Sequence, residues 1–381
     1  MDIEKSWIDC KISKLAVNSF PEDGIKLKFP FLHPIGYNYT PEIGSKEIIA
    51  STEHIRNFLC LHFPHSLTPS RIEIIVGAVI PFCAWTYPPQ LPAEYGPPYR
   101  IYCLIMCLAL ILDDIFDDPD SQIATMGREK EDRKRLIEIM NKCLDLEAGT
   151  FSDCADEDEL FLKTPFVQQV LSAVRTVLKN VEELCKENFK YAKTTLFAHI
   201  GAWVQAHGWS KADNLDKYSE SCYRSFRIKE FGGFSMVIVI SVVSGIKLPP
   251  YLTSHPQVRH LMHLCESICC IQNDVLGVWK DVVDKEGAGS MILHKVKNGV
   301  EICEAIRTEV EHMSIAIDDY ILVRASLLAS YEGHTELERF VDVMDNFIVG
   351  HMFAVAYSQR YSAEGVVQLT QDWKPIHQER T

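Results

Sequence analysis

The sequence predicts an all-α protein built as a single bundle of helices, and three observations predict it. From residue 46 onward, apolar residues recur at helical spacing over long segments, and few stretches alternate as strands do. Apolar residues make up 47% of the 381 residues and charged residues 24%, the balance of a globular protein with a sizeable core. No linker divides the chain, so we expect one helical domain over residues 46–365.

The individual helices follow from the apolar periodicity and from the residues that interrupt it. The interruptions are proline pairs and single glycines, at 88–89, 97–98, 208, 245, 249–250 and 299. Helices are therefore expected at residues 46–63, 69–86, 98–115, 130–146, 165–188, 191–207, 216–231, 234–245, 256–281, 289–297, 301–330 and 335–360.

The two ends of the chain lack this periodicity. Residues 1–45 are rich in proline, glycine and aromatic residues, and we expect an ordered, mostly irregular N-terminal arm. Residues 366–381 are expected to form a C-terminal tail. An acidic stretch at 153–159 is typical of a solvated loop.

The charge and the apolar runs exclude several classes of protein. A net charge of −14 argues against binding to nucleic acid, which needs a basic surface, but a metal ion can still bridge carboxylates to an anionic substrate. The longest apolar runs, 101–112 and 236–243, fall short of the roughly 18–20 residues that span a bilayer. The start of the chain shows no signal or transit segment. We therefore expect a cytoplasmic protein without stable membrane insertion.

The 13 cysteines are not arranged as ligands or as a disulfide framework. No CxxC pair occurs, so neither a zinc site nor a thioredoxin-like motif is indicated. Several cysteines lie in apolar helical segments, where free cysteine behaves as a small buried hydrophobe. We expect free, buried thiols.

A cluster of aspartates closes the apolar segment of the third helix. On a helix, Asp113 and Asp117 stand four residues apart, so their carboxylates share one face about 5–6 Å apart. Like charges this close beside an apolar segment cost free energy unless a cation neutralises them, and Mg²⁺ is the cation that bridges carboxylates to phosphates. A solvated acidic helix end is the alternative. The candidate metal ligands here are Asp113, Asp114, Asp117 and Asp118.

A second motif, Asn273-Asp274 followed by Gly277 and Asp281, stands near the end of the helix expected at 256–281. Asn273, Gly277 and Asp281 are spaced at i, i+4 and i+8, which places them on one helix face. The motif resembles NDxxSxxxE, the second metal motif of class I terpene synthases, and the resemblance implies that Asn273 and Asp281 bind the metal. Gly277 stands where the family has a hydroxyl, so a water would take its coordination site.

The same resemblance extends over residues 28–361 and assigns the groups that bind the diphosphate. Arg227 lies 46 residues before Asn273, as the family's diphosphate-sensing arginine does. Lys280 resembles the lysine beside the last metal ligand, and Arg360-Tyr361 resembles the closing pair of the terminal helix. Arginine suits this task because its planar fork donates two hydrogen bonds to phosphate oxygens.

After Arg227 the chain reads Ile-Lys-Glu230-Phe231-Gly232-Gly233. In the family a helix breaks here, an acidic residue links to the sensor arginine, and a backbone carbonyl helps to trigger ionisation. The resemblance assigns the link to Glu230 and the carbonyl to either Phe231 or Gly232. The adjacent glycines suit a break, since glycine adopts positive φ at low cost.

Aromatic side chains are the candidates for stabilising a carbocation, by about 0.5–2 kcal/mol each. For any one of them, ordinary core packing is an equally good reading. The candidates are Phe82, Trp85, Phe116, Phe197, Trp203, Phe231 and Phe347.

The resemblance is to the compact, single-domain microbial type of enzyme, and an animal, soft-coral-like member would suit the cysteine-rich chain. It implies the class I terpenoid synthase fold, three Mg²⁺ ions that Mn²⁺ can replace, and an isoprenoid diphosphate substrate bound by a monomer or homodimer. The expected activity is ionisation and cyclisation of geranylgeranyl or farnesyl diphosphate. Small residues at Ala109 and Ala354 favour the longer substrate. The alternatives are a trans-prenyltransferase and a non-catalytic helical interaction protein.

Overall fold

The computed structural model describes residues 3–13, 20–21, 23–34, 41–42, 44–88, 96–117, 165–210, 218–283, 290–358 and 367–370. Within these residues the helices, in chain order, are α1 (Lys46–His62), α2 (Pro69–Thr86), α3 (Pro97–Asp117), α4 (Pro165–Cys185), α5 (Phe189–Ser210), α6 (Glu220–Phe231), α7 (Gly233–Val243), α8 (Pro250–Thr253), α9 (Pro256–Leu276), α10 (Val278–Val283), α11 (Met291–Lys297), α12 (Ile302–Ser330) and α13 (Thr335–Tyr357). A 3₁₀ turn, Lys186–Asn188, joins α4 to α5.

The helices begin and end close to where the sequence predicts, because local capping sets the boundaries. At the start of α2, the Thr68 hydroxyl accepts a hydrogen bond from the backbone N–H of Arg71, and Pro69 fills the first helical position. Ser45 and Ser219 cap α1 and α6 in the same way. The helix predicted at 130–146 and the acidic loop at 153–159 lie outside the described residues.

One predicted helix, 256–281, is interrupted by a single residue. Gly277 ends α9 and separates it from α10. The backbone pattern nevertheless continues, since Gly277 donates to the carbonyl of Asn273 at 2.7 Å and Asp281 donates to the carbonyl of Gly277 at 3.2 Å. The i, i+4, i+8 relation of the second motif is therefore preserved across the break.

The prediction of a mostly irregular N-terminal arm is wrong. Strands β1 (Ile3–Ile12) and β2 (Ile25–Pro34) pair antiparallel, with Ile12 opposite Ile25. Within the segment predicted as a C-terminal tail, β3 (Val367–Thr370) pairs antiparallel with the end of β1. The signal was the alternation at residues 25–29, where every second residue is buried and the two lysines between are exposed.

The three-stranded sheet, in the order β2-β1-β3, lies against α12 and α13. Helix α13 packs in turn on α2 and α9, which makes it a central helix of the bundle. It is long and apolar enough to cross a membrane, but 89% of its most apolar window is buried inside the molecule. Its apolar composition therefore serves the core. The cysteines within the described ranges form no disulfide, as expected.

Candidate active site

The first carboxylate cluster stands at the end of α3. Asp113 is half-buried and lies one turn above Ala109 on the same helix face. The helix continues through Asp117, so the backbone places these two residues one turn apart as predicted. The side chains of residues 114–117, including Phe116, and the whole of Asp118 lie outside the described part of the structure.

The second motif stands at the junction of α9 and α10. Asn273 is half-buried at the end of α9, and Asp281 is 5% exposed in α10. Oδ2 of Asp281 is buried and accepts no hydrogen bond from the described residues. Lys280, the neighbouring candidate for the diphosphate, is half-buried. The motif offers amide and carboxylate oxygens, which are the ligands that Mg²⁺ prefers. It contains no histidine or cysteine, the ligands that other metals would favour.

Arg227, on α6, is the buried centre of this site. Its Nε and Nη2 both donate to Oδ1 of Asp274, at 3.0 and 2.8 Å, and Nη2 also donates to Oδ1 of Asn273 at 3.2 Å. Nη1 lies 3.6 Å from Oε2 of Glu230, an ion pair one turn further along α6. Burial disfavours the charge, but the Asp274 carboxylate outweighs it and raises the pKa of Arg227. The guanidinium is thus tied directly to the second metal motif.

Asp274 is the functional residue that sequence reasoning missed. The sequence motif contains it, but its role is visible only from its partners. Its Oδ2 accepts a hydrogen bond from the backbone N–H of Met291, the first residue of α11, at 2.8 Å. One carboxylate therefore holds both Arg227 and the start of the next helix, and orients the arginine.

The break between α6 and α7 falls at the predicted glycines. Gly232 has φ +67°, in the left-handed region, and links the two helices. The indole N–H of Trp203 donates to the carbonyl of Glu230 at 2.9 Å, and a Cβ on Gly232 would lie 2.3 Å from Cδ1 of that indole. The carbonyl of Gly232 accepts from the backbone N–H of Ser235 at 2.9 Å. Glycine is required here for both conformation and space.

An apolar cavity lies among α3, α4, α5 and α7, below Asp113 and beside the helix break. Its lining includes Ala109, Phe197 and Trp203. Ser235 supplies a hydroxyl, which already donates to the carbonyl of His199. The other lining residues are Ile105, Leu108, Leu112, Val174, Val177, Leu178, Val181, Leu196, Ile200 and Met236.

The other candidate aromatic residues with described side chains do not line this cavity but pack elsewhere in the core. Phe82, Phe231 and Phe347 each contact the ring of His351. Trp85 stacks on Phe353, with ring centroids 5.1 Å apart, and on Tyr357 at 6.3 Å. The predicted aromatic set is therefore divided between the cavity and this second cluster. Ala354 is buried in α13 and is not among the residues that line the cavity.

A charge network that the sequence did not predict joins α6 to α11 and α12. Glu309, on α12, is fully buried and accepts two hydrogen bonds from Arg224, at 2.7 and 2.8 Å, while Lys295 lies 3.3 Å away. Glu220, Glu309 and His312 lie close enough together to hold a metal, but Arg224 and Lys295 already neutralise the carboxylates. The network fixes α6, which carries Arg227.

The closing pair, Arg360 and Tyr361, lies outside the described residues. Of the predicted groups with described side chains, the structure brings together Arg227, Glu230, Asn273 and the helix break. Asp113 stands on α3 one turn beyond Ala109, which lines the cavity.

An all-helical bundle with an oxygen-rich motif, a buried arginine tied to it and a glycine break beside an apolar cavity defines a class I terpene synthase. The chain belongs to terpene synthase family 2, C-terminal metal binding, whose family model matches residues 104–319. That range includes both carboxylate motifs and Arg227. The protein is a terpene cyclase of a divalent-metal-binding family. No curated protein sequence is significantly similar to it.

Solved structures share the fold at low sequence identity. Wild-type cucumene synthase superposes with a TM-score of 0.63 at 14% identity, over 81% of this chain and 95% of its own. Linalool/nerolidol synthase from Streptomyces clavuligerus, in complex with 2-fluorogeranyl diphosphate, gives 0.63 at 14%, over 83% and 96%. Germacradien-4-ol synthase from Streptomyces citricolor gives 0.60 at 15%, over 81% and 94%. The predicted all-α, class I terpenoid synthase fold is confirmed.

Proposed function

We propose that the protein is a Mg²⁺-dependent class I terpene cyclase that ionises a linear isoprenoid diphosphate and cyclises the resulting carbocation, releasing diphosphate. One observation carries the proposal. Arg227, the proposed diphosphate-binding side chain, is hydrogen-bonded to Asn273 of the second motif and lies on the helix that ends at the break beside the apolar cavity. A cationic group for the diphosphate and an apolar space for the hydrocarbon chain therefore lie next to each other.

The metal is proposed to be held by two sets of oxygen ligands. Asp113, Asp114, Asp117 and Asp118 form the first, and Asn273 and Asp281 form the second. Three Mg²⁺ ions are expected, and Mn²⁺ should replace them because it takes similar oxygen ligands. When bound, the ions would neutralise the diphosphate and so lower the barrier to cleavage of the C–O bond.

The side chains have separate tasks in this proposal. Arg227 binds a diphosphate oxygen, and Asp274 and Glu230 keep its guanidinium charged and oriented. Lys280, Arg360 and Tyr361 bind the rest of the diphosphate. The carbonyl of Gly232 is already used in the first turn of α7, which favours the carbonyl of Phe231 as the one that faces the developing cation.

The cavity then governs the carbocation. Its apolar lining excludes water, which would otherwise quench the cation, and Phe197 and Trp203 present aromatic faces to it. Ala109 keeps the space below Asp113 open, and the valines of α4 bound its far side. A C20 diphosphate is therefore placed slightly ahead of a C15 one, giving a diterpene or a sesquiterpene. The expected setting is the cytoplasm, with the protein a monomer or homodimer.

The test is incubation of the purified chain with the C10, C15, C20 and C25 diphosphates, with product analysis by gas chromatography–mass spectrometry and an assay of released diphosphate. Cyclic products are expected with Mg²⁺ or Mn²⁺ and should be absent in excess EDTA. Adding zinc after the chelator should not restore the activity. Full activity in EDTA would refute the metal mechanism. Addition of isopentenyl diphosphate distinguishes the trans-prenyltransferase, which would form a longer linear product.

A further inference from the structure

One aromatic side chain contacts both the apolar cavity and the helix break. Trp203, on α5, is 7% exposed and is one of the residues that line the cavity. Its indole N–H donates to the backbone carbonyl of Glu230, on α6, at 2.9 Å. The same edge of the ring faces Gly232, since a Cβ added there would lie 2.3 Å from Cδ1 and 2.8 Å from Nε1. The indole therefore connects the wall of the cavity to the end of α6.

The hydrogen bond from Trp203 satisfies a specific need of α6. This helix ends at Phe231, and the last four carbonyls of a helix have no partner within it. The carbonyl of Glu230 is one of these four, and its hydrogen bond with the indole is buried. A buried carbonyl without a partner costs free energy, so the indole N–H fixes the position of the last turn of α6.

The connection continues from Glu230 to the arginine. Glu230 is 5% exposed, and its Oε2 lies 3.6 Å from Nη1 of Arg227, one turn back on the same helix. The other hydrogen bonds of Arg227 go to Asn273 and Asp274, which belong to α9 and therefore do not hold the end of α6. A shift of the last turn of α6 would consequently move the Glu230 carboxylate relative to the guanidinium.

Helix α5 also holds the other side of the break. The hydroxyl of Ser235, on α7, donates to the carbonyl of His199 at 3.1 Å. The rings of His199 and Phe234 meet edge to face, with centroids 5.1 Å apart. His199 and Trp203 stand four residues apart and so share one face of α5. That face contacts α6 and α7 on the two sides of Gly232, so the geometry of the break depends on α5 as well as on its own residues.

We propose that Trp203 is a positioning residue for the diphosphate: its N–H holds Glu230 and, through Glu230, the guanidinium of Arg227. The assignment rests on the proposed function and adds a task that is separate from that of the ring face. The face lines the cavity and can stabilise a carbocation there. The N–H acts on the binding of the leaving group, before any carbocation has formed.

The experiment separates the N–H from the ring face. Trp203→Phe keeps an aromatic face but removes the donor, and benzothienylalanine at position 203 keeps the shape of the indole but replaces its N–H by sulfur. Phe197→Leu is the matched control, because Phe197 lines the same cavity from the same helix and is 5% exposed. The affinity for inorganic diphosphate with Mg²⁺ is measured by titration calorimetry. Product composition from farnesyl and geranylgeranyl diphosphates, circular dichroism and thermal unfolding are measured beside it.

Both changes at position 203 should weaken the binding of inorganic diphosphate about tenfold. The benzothienylalanine protein should keep the product fractions of the wild type, because its ring face remains. Phe197→Leu should show the opposite pattern, with unchanged affinity for diphosphate and altered product fractions. Wild-type affinity in a folded protein altered at position 203 would overturn the assignment, and so would an equal loss of affinity in Phe197→Leu.

A double-mutant cycle tests the path through Glu230. Glu230→Gln should itself weaken the binding of inorganic diphosphate, and adding Trp203→Phe should weaken it little further, because both changes act on the same arginine. Fully additive losses would overturn the assignment of Glu230 as the link. If the wild type releases no diphosphate from any prenyl diphosphate, it is the proposed function that fails.

Discussion

Arg227 places two nitrogens, Nε and Nη2, on the same oxygen of Asp274, at 3.0 and 2.8 Å. The other oxygen of Asp274 accepts the backbone N–H of Met291. Both oxygens of the Asp274 carboxylate therefore accept hydrogen bonds. The carboxylate lies between Arg227 and α11, the helix that begins at Met291. Its position explains how a guanidinium that is only 8% exposed is kept charged and oriented.

Asp274→Asn tests this arrangement. An asparagine has only one accepting oxygen, so it leaves either Arg227 or the N–H of Met291 unsatisfied in a buried site. We expect the free energy of unfolding in urea to fall by about 3 kcal/mol and the KM for the diphosphate to rise at least tenfold. Asp318→Asn, at an exposed pair with Lys5, is the control and should change neither. Wild-type KM in Asp274→Asn would show that the carboxylate does not orient the arginine.

The metal assignment predicts that Asp113→Ala and Asn273→Ala abolish turnover while leaving the helical circular dichroism intact. Both side chains are half-buried, so their truncation removes little packing. Turnover is measured at saturating Mg²⁺, again with an Asp318 variant as control. Wild-type turnover in either variant would rule out that residue as a metal ligand.

We expect Gly232→Ala to lower both the stability of the protein and its turnover. Gly245→Ala is the control that separates the effect of a positive φ from the effect of contact with Trp203. Both glycines have positive φ, +67° and +73°, but an added Cβ at Gly245 meets nothing within 4 Å, whereas at Gly232 it meets the indole of Trp203. We expect Gly245→Ala to cost about 1 kcal/mol with turnover unchanged, and Gly232→Ala to cost about 3 kcal/mol with turnover reduced. Thermal unfolding and steady-state kinetics measure these effects. Equal losses of stability and turnover in the two variants would mean that the indole of Trp203 moves to make room for the added methyl group.

The buried network around Glu309 predicts a specific dependence of stability on pH. Burial alone would raise the pKa of Glu309, but hydrogen bonds from His312 and Arg224 lower it to about 2, against 4.5 for an ordinary glutamate. A folded-state pKa below the unfolded value stabilises the protein above pH 4.5, and this contribution disappears as the pH falls towards 2.

Glu309→Gln should therefore lower the free energy of unfolding by about 3 kcal/mol at pH 7, because it leaves Arg224 and Lys295 without their buried carboxylate. The difference from wild type should narrow between pH 4.5 and 2. Urea titrations over this range measure it, and Glu53→Gln, at an exposed pair with Arg56, should behave as wild type. A difference that does not vary with pH would contradict the assigned pKa.

Substitutions of Ala109 and Ala354 test which length of substrate the protein accepts. Ala109 lines the cavity, so Ala109→Phe should reduce turnover of geranylgeranyl diphosphate at least tenfold relative to farnesyl diphosphate. Ala354→Trp should have the smaller effect on this ratio, because Ala354 does not line the described cavity. A competition assay with both substrates measures the ratio. A strong wild-type preference for farnesyl diphosphate would defeat the argument for C20.

The helices were largely predictable because each is specified by its own residues. A threonine cap and Pro69 set the start of α2, and the i, i+4, i+8 spacing of Asn273, Gly277 and Asp281 is a property of any helix. The N-terminal hairpin was missed although alternation was present at residues 25–29. Strand pairing depends on a partner distant in sequence: β3 starts at Val367 and pairs with β1 at the other end of the chain. Periodicity within a segment cannot reveal such a partner.

The sequence alone predicted the all-helical class and the glycine break, and it proposed both carboxylate motifs and the candidate sensor arginine, since each depends on residue type and local spacing. Only the tertiary structure decided which of these side chains meet. It joined Arg227 to Asp274, placed Trp203 against Gly232 and divided the aromatic residues between the cavity and the ring of His351. The physical reason is that side-chain contacts between helices depend on how the helices pack, which is settled by the whole core and not by any one segment.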